Sequence, residues 1–163
     1  MFDILLYLYD TYLLTDQIPD AEHLSRKLTA AGFEMGDITE ALDWLSGLDD
    51  LQAQEESADT AEEASGAAVA QPSVRVYSEE EAHRIDIEGR GFLTFLESAQ
   101  LLPPHGREWV IEQALALPDA DVSAERIKWI ALLALWKLKG VGDVLWLEDL
   151  VRGTEDGWRP TLH

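Results

Sequence analysis

The sequence predicts a mainly α-helical protein: an N-terminal winged-helix-like unit of three helices with a small two-stranded β-ribbon, followed by a C-terminal helical bundle. Three observations point there. Apolar residues recur at three- and four-residue spacing along most of the 163 residues. A glycine turn at Gly32 separates two such runs in the manner of a helix-turn-helix. Two short extended candidates, residues 51–54 and 73–77, flank a polar loop. The division expected is a winged-helix-like domain over residues 1–77 and a helical domain over 78–163.

The first helix is predicted from Phe2, Leu5, Leu6, Tyr9 and Leu13, and ends before the turn at Pro19. Asp20 supplies N-cap chemistry for a second helix with Ala21, Leu24, Leu28 and Ala31 inward. Gly32 stops it, and Phe33 fills the space under the turn. A third helix starts near Gly36 and turns Ile38, Ala41, Leu42, Leu45 and Leu48 inward.

Beyond it, Val74 and Val76 alternate with Arg75 as a half-buried strand does, and Ser78 with Glu81 forms a capping box for the next helix. The run from Val74 to Glu80 is similar to the last strand and following helix of winged-helix transcription regulators. A bare helical bundle with a disordered joint is the competing reading. Residues 55–71 hold Glu, Ala, Ser, Asp, Gly and Gln with one Val and no aromatic. Such a stretch buries too little apolar surface to offset its chain entropy, which predicts a mobile linker or an oversized wing.

The C-terminal half reads as helices over 79–87, 89–100, 104–117, 124–139 and 143–152. Pro103 and Pro104 open the third of these and Pro118 closes it. Ser123 caps the fourth, whose apolar residues on most sides make it central. Gly140 ends it, after Lys137 and Lys139 in the last turn, where cations suit the helix dipole. The last amphipathic helix carries Val144, Leu145, Leu147, Leu150 and Val151, and a loose tail with Trp158 is expected after Gly153.

Charge bounds the function. The chain carries 32 acidic and 12 basic residues, a net of −20, and the first 72 residues hold sixteen acids against only Arg26 and Lys27. Duplex DNA presents one negative charge per roughly 1.7 Å, so this surface disfavours direct nucleic-acid contact and anionic lipid, and favours a basic protein surface. The absence of cysteine excludes disulfides and thiolate metal sites and agrees with a cytoplasmic location. The apolar N-terminus contains Asp3 and Asp10 and lacks the basic region of a signal peptide. The most apolar run, residues 129–138, is half of the roughly twenty residues a membrane span needs.

Candidate chemistry is sparse. The outer face of the third helix offers Asp37, Glu40 and Asp43 in place of the Arg, Lys, Asn and Gln that read base edges, and it suits docking of a basic partner. Arg90 and Arg107 lie among acids, where each can pair a carboxylate such as Glu97 or Glu108, or hold an acid of a partner. These five residues are the candidate partner-binding set. Glu79, His83 and Asp86 share a helix face at three- and four-residue spacing, a weak metal pattern better read as an exposed histidine among acids. Asp119 and Asp121 lack the glycine and terminal Glu of a calcium loop. Gly89 and Gly91 mark a kink or a close helix contact, since no phosphate-loop Lys and Ser or Thr accompany them. Trp44, Trp109, Trp129 and Trp136 fall in core patterns, whereas Trp146 and Trp158 lie nearer the edge. No nucleophile constellation is present, which predicts neither enzyme activity nor a cofactor.

The chain resembles the bacterial Smg family of small acidic proteins. The matching stretches begin with Met1-Phe2-Asp3 and Leu6-Tyr7-Leu8-Tyr9, then Ala31-Gly32-Phe33 with Ile38, Ala41, Leu42, Trp44 and Leu45. They continue with Arg75-Val76-Tyr77-Ser78, Arg90-Gly91-Phe92-Leu93 with Phe95-Leu96-Glu97, Arg107-Glu108 with Val110-Ile111-Glu112, and Lys128-Trp129. The resemblance implies no catalytic residues, because the family has no assigned biochemical activity. Members are often encoded beside a DNA-processing protein, which implies a nucleic-acid role by association; the charge argues against direct contact and favours a basic protein surface, such as that of a nucleic-acid-processing protein.

Overall fold

The structure, a computed structural model, describes residues 2–12, 19–65, 75–140 and 145–152. Eight helices are present among them: α1 (Phe2–Thr11), α2 (Ala21–Ala30), α3 (Met35–Ser65), α4 (Glu79–Arg84), α5 (Ile87–Ser98), α6 (Pro104–Ala116), α7 (Ala124–Lys139) and α8 (Leu145–Arg152). The chain divides into two compact units, Met1–Asp50 and Leu51–His163.

In the first unit α1 buries Ile4, Leu5, Leu8 and Tyr9, leaving Phe2 and Leu6 half-buried, so its inward face is rotated from the one the apolar pattern suggests. Leu13 lies outside the described residues. Asp20 caps α2 by accepting from the backbone N–H of His23 at 2.8 Å. At the other end Gly32 N donates to Thr29 O at 3.1 Å and Phe33 N to Leu28 O at 3.2 Å. That pair of bonds satisfies the last carbonyls and needs a left-handed residue, which Gly32 supplies at φ 97°. Leu24 and Leu28 of α2 are buried, as are Ile38, Ala41, Trp44 and Leu48 of α3.

The expected β-ribbon is absent: no strand occurs among the described residues. Residues 51–54, expected to be extended, lie inside α3, and Leu51 is buried there. The apolar spacing of Trp44, Leu48 and Leu51 simply continues, and no glycine or proline interrupts the sequence between Gly47 and Gly66. Residues 55–65 of the expected linker or wing are also helical. Their Glu and Ala are good helix formers, and a helix satisfies its own backbone bonds whether or not a face is buried. Low apolar content measured packing, not backbone order. Residues 75–78 carry no regular structure, and Val76 is 86% exposed, so the expected second strand is not formed over them. Ser73 and Val74 are outside the described residues.

The second unit is built on α7, which is buried continuously from Trp129 to Trp136 and packs against α5, α6 and α8. Ser123 Oγ accepts from Arg126 N at its start, and Gly140, at φ 82°, ends it. A Cβ on Gly89 would approach Ile127 Cγ1 to 3.0 Å, so that glycine lets α5 lie close on α7. Gln100 stands at φ 58° after α5, where Leu101 N donates to Leu96 O at 2.9 Å and Gln100 N to Glu97 O at 3.0 Å. A single parallel bridge joins Ile85 to Val122. Beside it the Arg84 guanidinium donates to the carbonyls of Leu115, Leu117 and Asp119 at 2.7, 3.0 and 2.9 Å, capping the open end of α6. No described helix is long and apolar enough to cross a membrane.

Candidate functional site

Two groups of ionisable residues stand out, one in each unit. In the first, Asp37, Glu40 and Asp43 are exposed on α3, around the buried positions Ile38 and Ala41. The helix carries ten acidic residues over its 31 positions and no Lys or Arg. None of its carboxylates therefore has a cation on its own helix. Of the unit's Lys and Arg, Arg26 pairs with Glu22, and Lys27 Nζ stands 5.2 Å from the Tyr12 ring centre.

The second group is a network of arginines and carboxylates. The capping box predicted at Ser78 is present: Glu81 N donates to Ser78 Oγ at 3.2 Å, and Ser78 N donates to the Glu81 carboxylate at 2.8 Å. That carboxylate also accepts a two-pronged contact from Arg75, with Nη1 and Nη2 each at 2.8 Å. Arg75 turns its Nε and Nη2 to Glu108 of α6 at 2.6 and 2.9 Å. Arg107, only 11% exposed, donates Nε to Glu108 at 3.0 Å and Nη1 to Glu97 of α5 at 2.5 Å. Glu108 thus joins both arginines. The Tyr77 ring lies under two guanidinium groups, with Cζ of Arg75 at 4.9 Å and of Arg90 at 5.7 Å.

This geometry fixes protonation. Hydrogen bonds from Arg75 hold the Glu81 carboxyl down at about 2, and the same arginine, with Arg107, lowers Glu108. Arg75 is held more firmly charged by Glu81 and Glu108. Burial opposes the Arg107 cation, but hydrogen bonds to Glu97 and Glu108 outweigh it, and its pKa rises. Burial also raises the Tyr77 phenol. These shifts push each group away from neutrality, the opposite of what proton transfer at pH 7 requires. The network is a clasp that ties residues 75–78 to α4, α5 and α6.

Of the candidate set, Arg107 pairs with Glu97 and Glu108, while Arg90 meets Tyr77 and, among the described residues, no carboxylate. Asp37, Glu40 and Asp43 share one exposed helix surface. Among the described residues no three His, Asp or Glu side chains stand close enough to hold a metal ion, the Glu79, His83 and Asp86 pattern included. His83 is exposed beside Glu79 and Glu80 on a shallow depression. Asp119 pairs with Arg126. Trp44, Trp109, Trp129 and Trp136 are buried in the core; the Trp146 side chain and Trp158 lie outside the described residues. Sequence reasoning missed the roles of Arg75, Tyr77 and Arg84. Their partners are up to 35 residues away, and only the capping box at Ser78 hinted that Glu81 would be fixed in place.

These features define an acidic helical protein with a partly buried ionic cluster that joins its elements and with a longest described helix that carries acids and no Lys or Arg. The chain belongs to the family described as "Protein of unknown function (DUF494)", whose model matches residues 1–159. It is 39% identical over 163 residues to a Protein Smg homolog of Methylobacillus flagellatus, covering 100% of both chains. A Protein Smg homolog of Aromatoleum aromaticum is 42% identical over 164 residues with the same full coverage. One from Bordetella avium is 44% identical over 156 residues, 95% of this chain and 97% of the relative. The resemblance to the Smg family therefore holds over the whole length. No solved structure matches the chain.

Proposed function

We propose that this protein is a non-enzymatic interaction module whose α3 surface docks a basic protein partner. The observation that carries the reading is the composition of α3: ten acids without one Lys or Arg, with Asp37, Glu40 and Asp43 exposed together. Like charges three and four residues apart on a helix destabilise it. A cationic surface laid over them removes that repulsion and releases bound counterions, and steers the encounter over a distance of about a Debye length, roughly 8 Å at physiological salt. A surface that ordinarily holds nucleic-acid phosphates has this chemistry, so a nucleic-acid-processing protein is the kind of partner the charge fits. Nucleic acid itself is repelled.

Affinity capture with the full chain, beside a D37K/E40K/D43K variant, tests the reading. All three side chains are exposed, so the fold should survive. The variant is expected to lose the partner retained at low salt. Retention of the same partner would refute the assignment. A mobility shift with duplex DNA at low salt should show no complex with the unaltered protein, and a complex there would refute it equally.

A further inference from the structure

The solvent side of the first unit is not polar throughout. Tyr7 of α1 is 37% exposed and Met35, at the start of α3, is 59% exposed. Phe33, half-buried in the turn before α3, connects them. Its ring meets that of Tyr7 edge-on with the centres 5.8 Å apart, and it precedes Met35 by two residues, a reach of at most about 7 Å along the chain. The Met35 side chain is placed by α2, whose Ser25 Oγ stands 4.0 Å from its Sδ. Two aromatic rings and a thioether, a side chain that moulds itself to irregular surfaces, therefore stand together at one end of α3.

The charges that border them are acidic. Asp3 and Asp10 lie four residues before Tyr7 and three after it, on the same exposed face of α1. Glu34 is exposed between Phe33 and Met35, and Met35, Thr39 and Asp43 follow one exposed line of α3 at four-residue spacing. The neighbouring cations belong to α2, where Arg26 pairs with Glu22 and Lys27 stands over Tyr12. We infer that this patch seats one aromatic or long aliphatic side chain of a basic partner, bracketed in the partner's sequence by Lys or Arg. The inference rests on the basic-partner reading of α3 and adds its anchor. Charge steers the encounter and selects the sign of the partner, whereas a buried apolar side chain at the centre of a contact carries most of the affinity. A second copy of this chain is the wrong occupant, because it would set acid against acid at a net charge of −20 on each side.

Two fluorescein-labelled peptides, Lys-Arg-Lys-Trp-Lys-Arg-Lys and the same sequence with Ser in place of Trp, titrated against the full chain by fluorescence anisotropy at low salt, test the anchor. The Trp peptide is expected to bind about tenfold tighter, the share of affinity that burial of a large apolar side chain supplies. Y7S/M35S should erase that preference and leave the dissociation constant of the Ser peptide unchanged, with the melting temperature held because both side chains are exposed. M35S alone, at the more exposed of the two positions, should reduce the preference about threefold. D37K/E40K/D43K should weaken both peptides and keep their ratio. Equal binding of the two peptides to the unaltered chain, or a preference that survives Y7S/M35S, would overturn the anchor and leave the α3 reading standing. Undiminished binding of both peptides to D37K/E40K/D43K would overturn the α3 reading itself, and the anchor with it.

Discussion

The acids of α3 and the acids around Arg75 make opposite use of the same functional group. Glu81, Glu97 and Glu108 each face an arginine, their charge is largely offset locally, and their product is a fixed joint between elements distant in sequence. The α3 acids have no base on their own helix, and Asp37, Glu40 and Asp43 face solvent. The contrast teaches that acidic composition alone predicts neither stability nor recognition. Local pairing with arginine marks the carboxylates that join elements of the fold, and exposure on a helix without a Lys or Arg marks those that can face a partner.

The largest expected effect comes from breaking the balanced side. Arg107→Ala removes a buried guanidinium, leaving Glu97 without its cation while half-exposed Glu108 keeps only Arg75, and should cost about 3 kcal/mol in denaturant unfolding. Arg75→Lys should cost less, about 1 to 2 kcal/mol, because a point ammonium cannot fork to two carboxylates. A loss under about 0.5 kcal/mol for Arg107→Ala would show that the clasp is ornamental.

Acid should separate the two groups next. The Glu81 pKa is depressed in the folded state, so its contribution is present above the unfolded value near 4.5 and is lost as pH falls towards about 2. Glu108 shifts the same way. Unfolding followed from pH 6 to pH 2 should show a loss of about 1 to 3 kcal/mol in that window. Over the same window α3 should become more helical as its like charges are neutralised, by tenths of a kcal/mol per pair. Loss of α3 amide protection in step with residues 75–81 would erase the distinction.

The smaller effects concern α5. Gly89→Leu should destabilise by about 1 to 3 kcal/mol through the clash with Ile127, while Gly91→Ala should stabilise by about 0.5 to 1 kcal/mol, since its Cβ enters open space. Equal effects would contradict the close approach of α5 to α7. Gln100→Gly, relieving a left-handed residue at φ 58°, should add roughly 0.5 to 1 kcal/mol.

Helices were legible where a local device closed them. Asp20, Gly32, Ser78 with Glu81, Ser123 and Gly140 all act as their residue types predict, and α4 to α8 fall within a few residues of the expected spans. The β-ribbon failed because alternation over three residues says nothing about a partner strand, and because residues 55–65 were judged by what they bury rather than by helix propensity. Pairing of Arg107 with Glu97 and Glu108 could be guessed from charge complementarity along a helical pattern. The Arg75 clasp could not, as it depends on how residues 75–78 return over α6.

The most direct measurement of the central claim is the apparent dissociation constant of a captured native partner at about 50 mM and about 500 mM salt, for the unaltered chain and for D37K/E40K/D43K. If the exposed acids of α3 form the contact, affinity for the unaltered chain falls by at least tenfold across that range, and the variant starts weak and shows no such dependence. Parallel salt curves of equal strength for the two chains would contradict it.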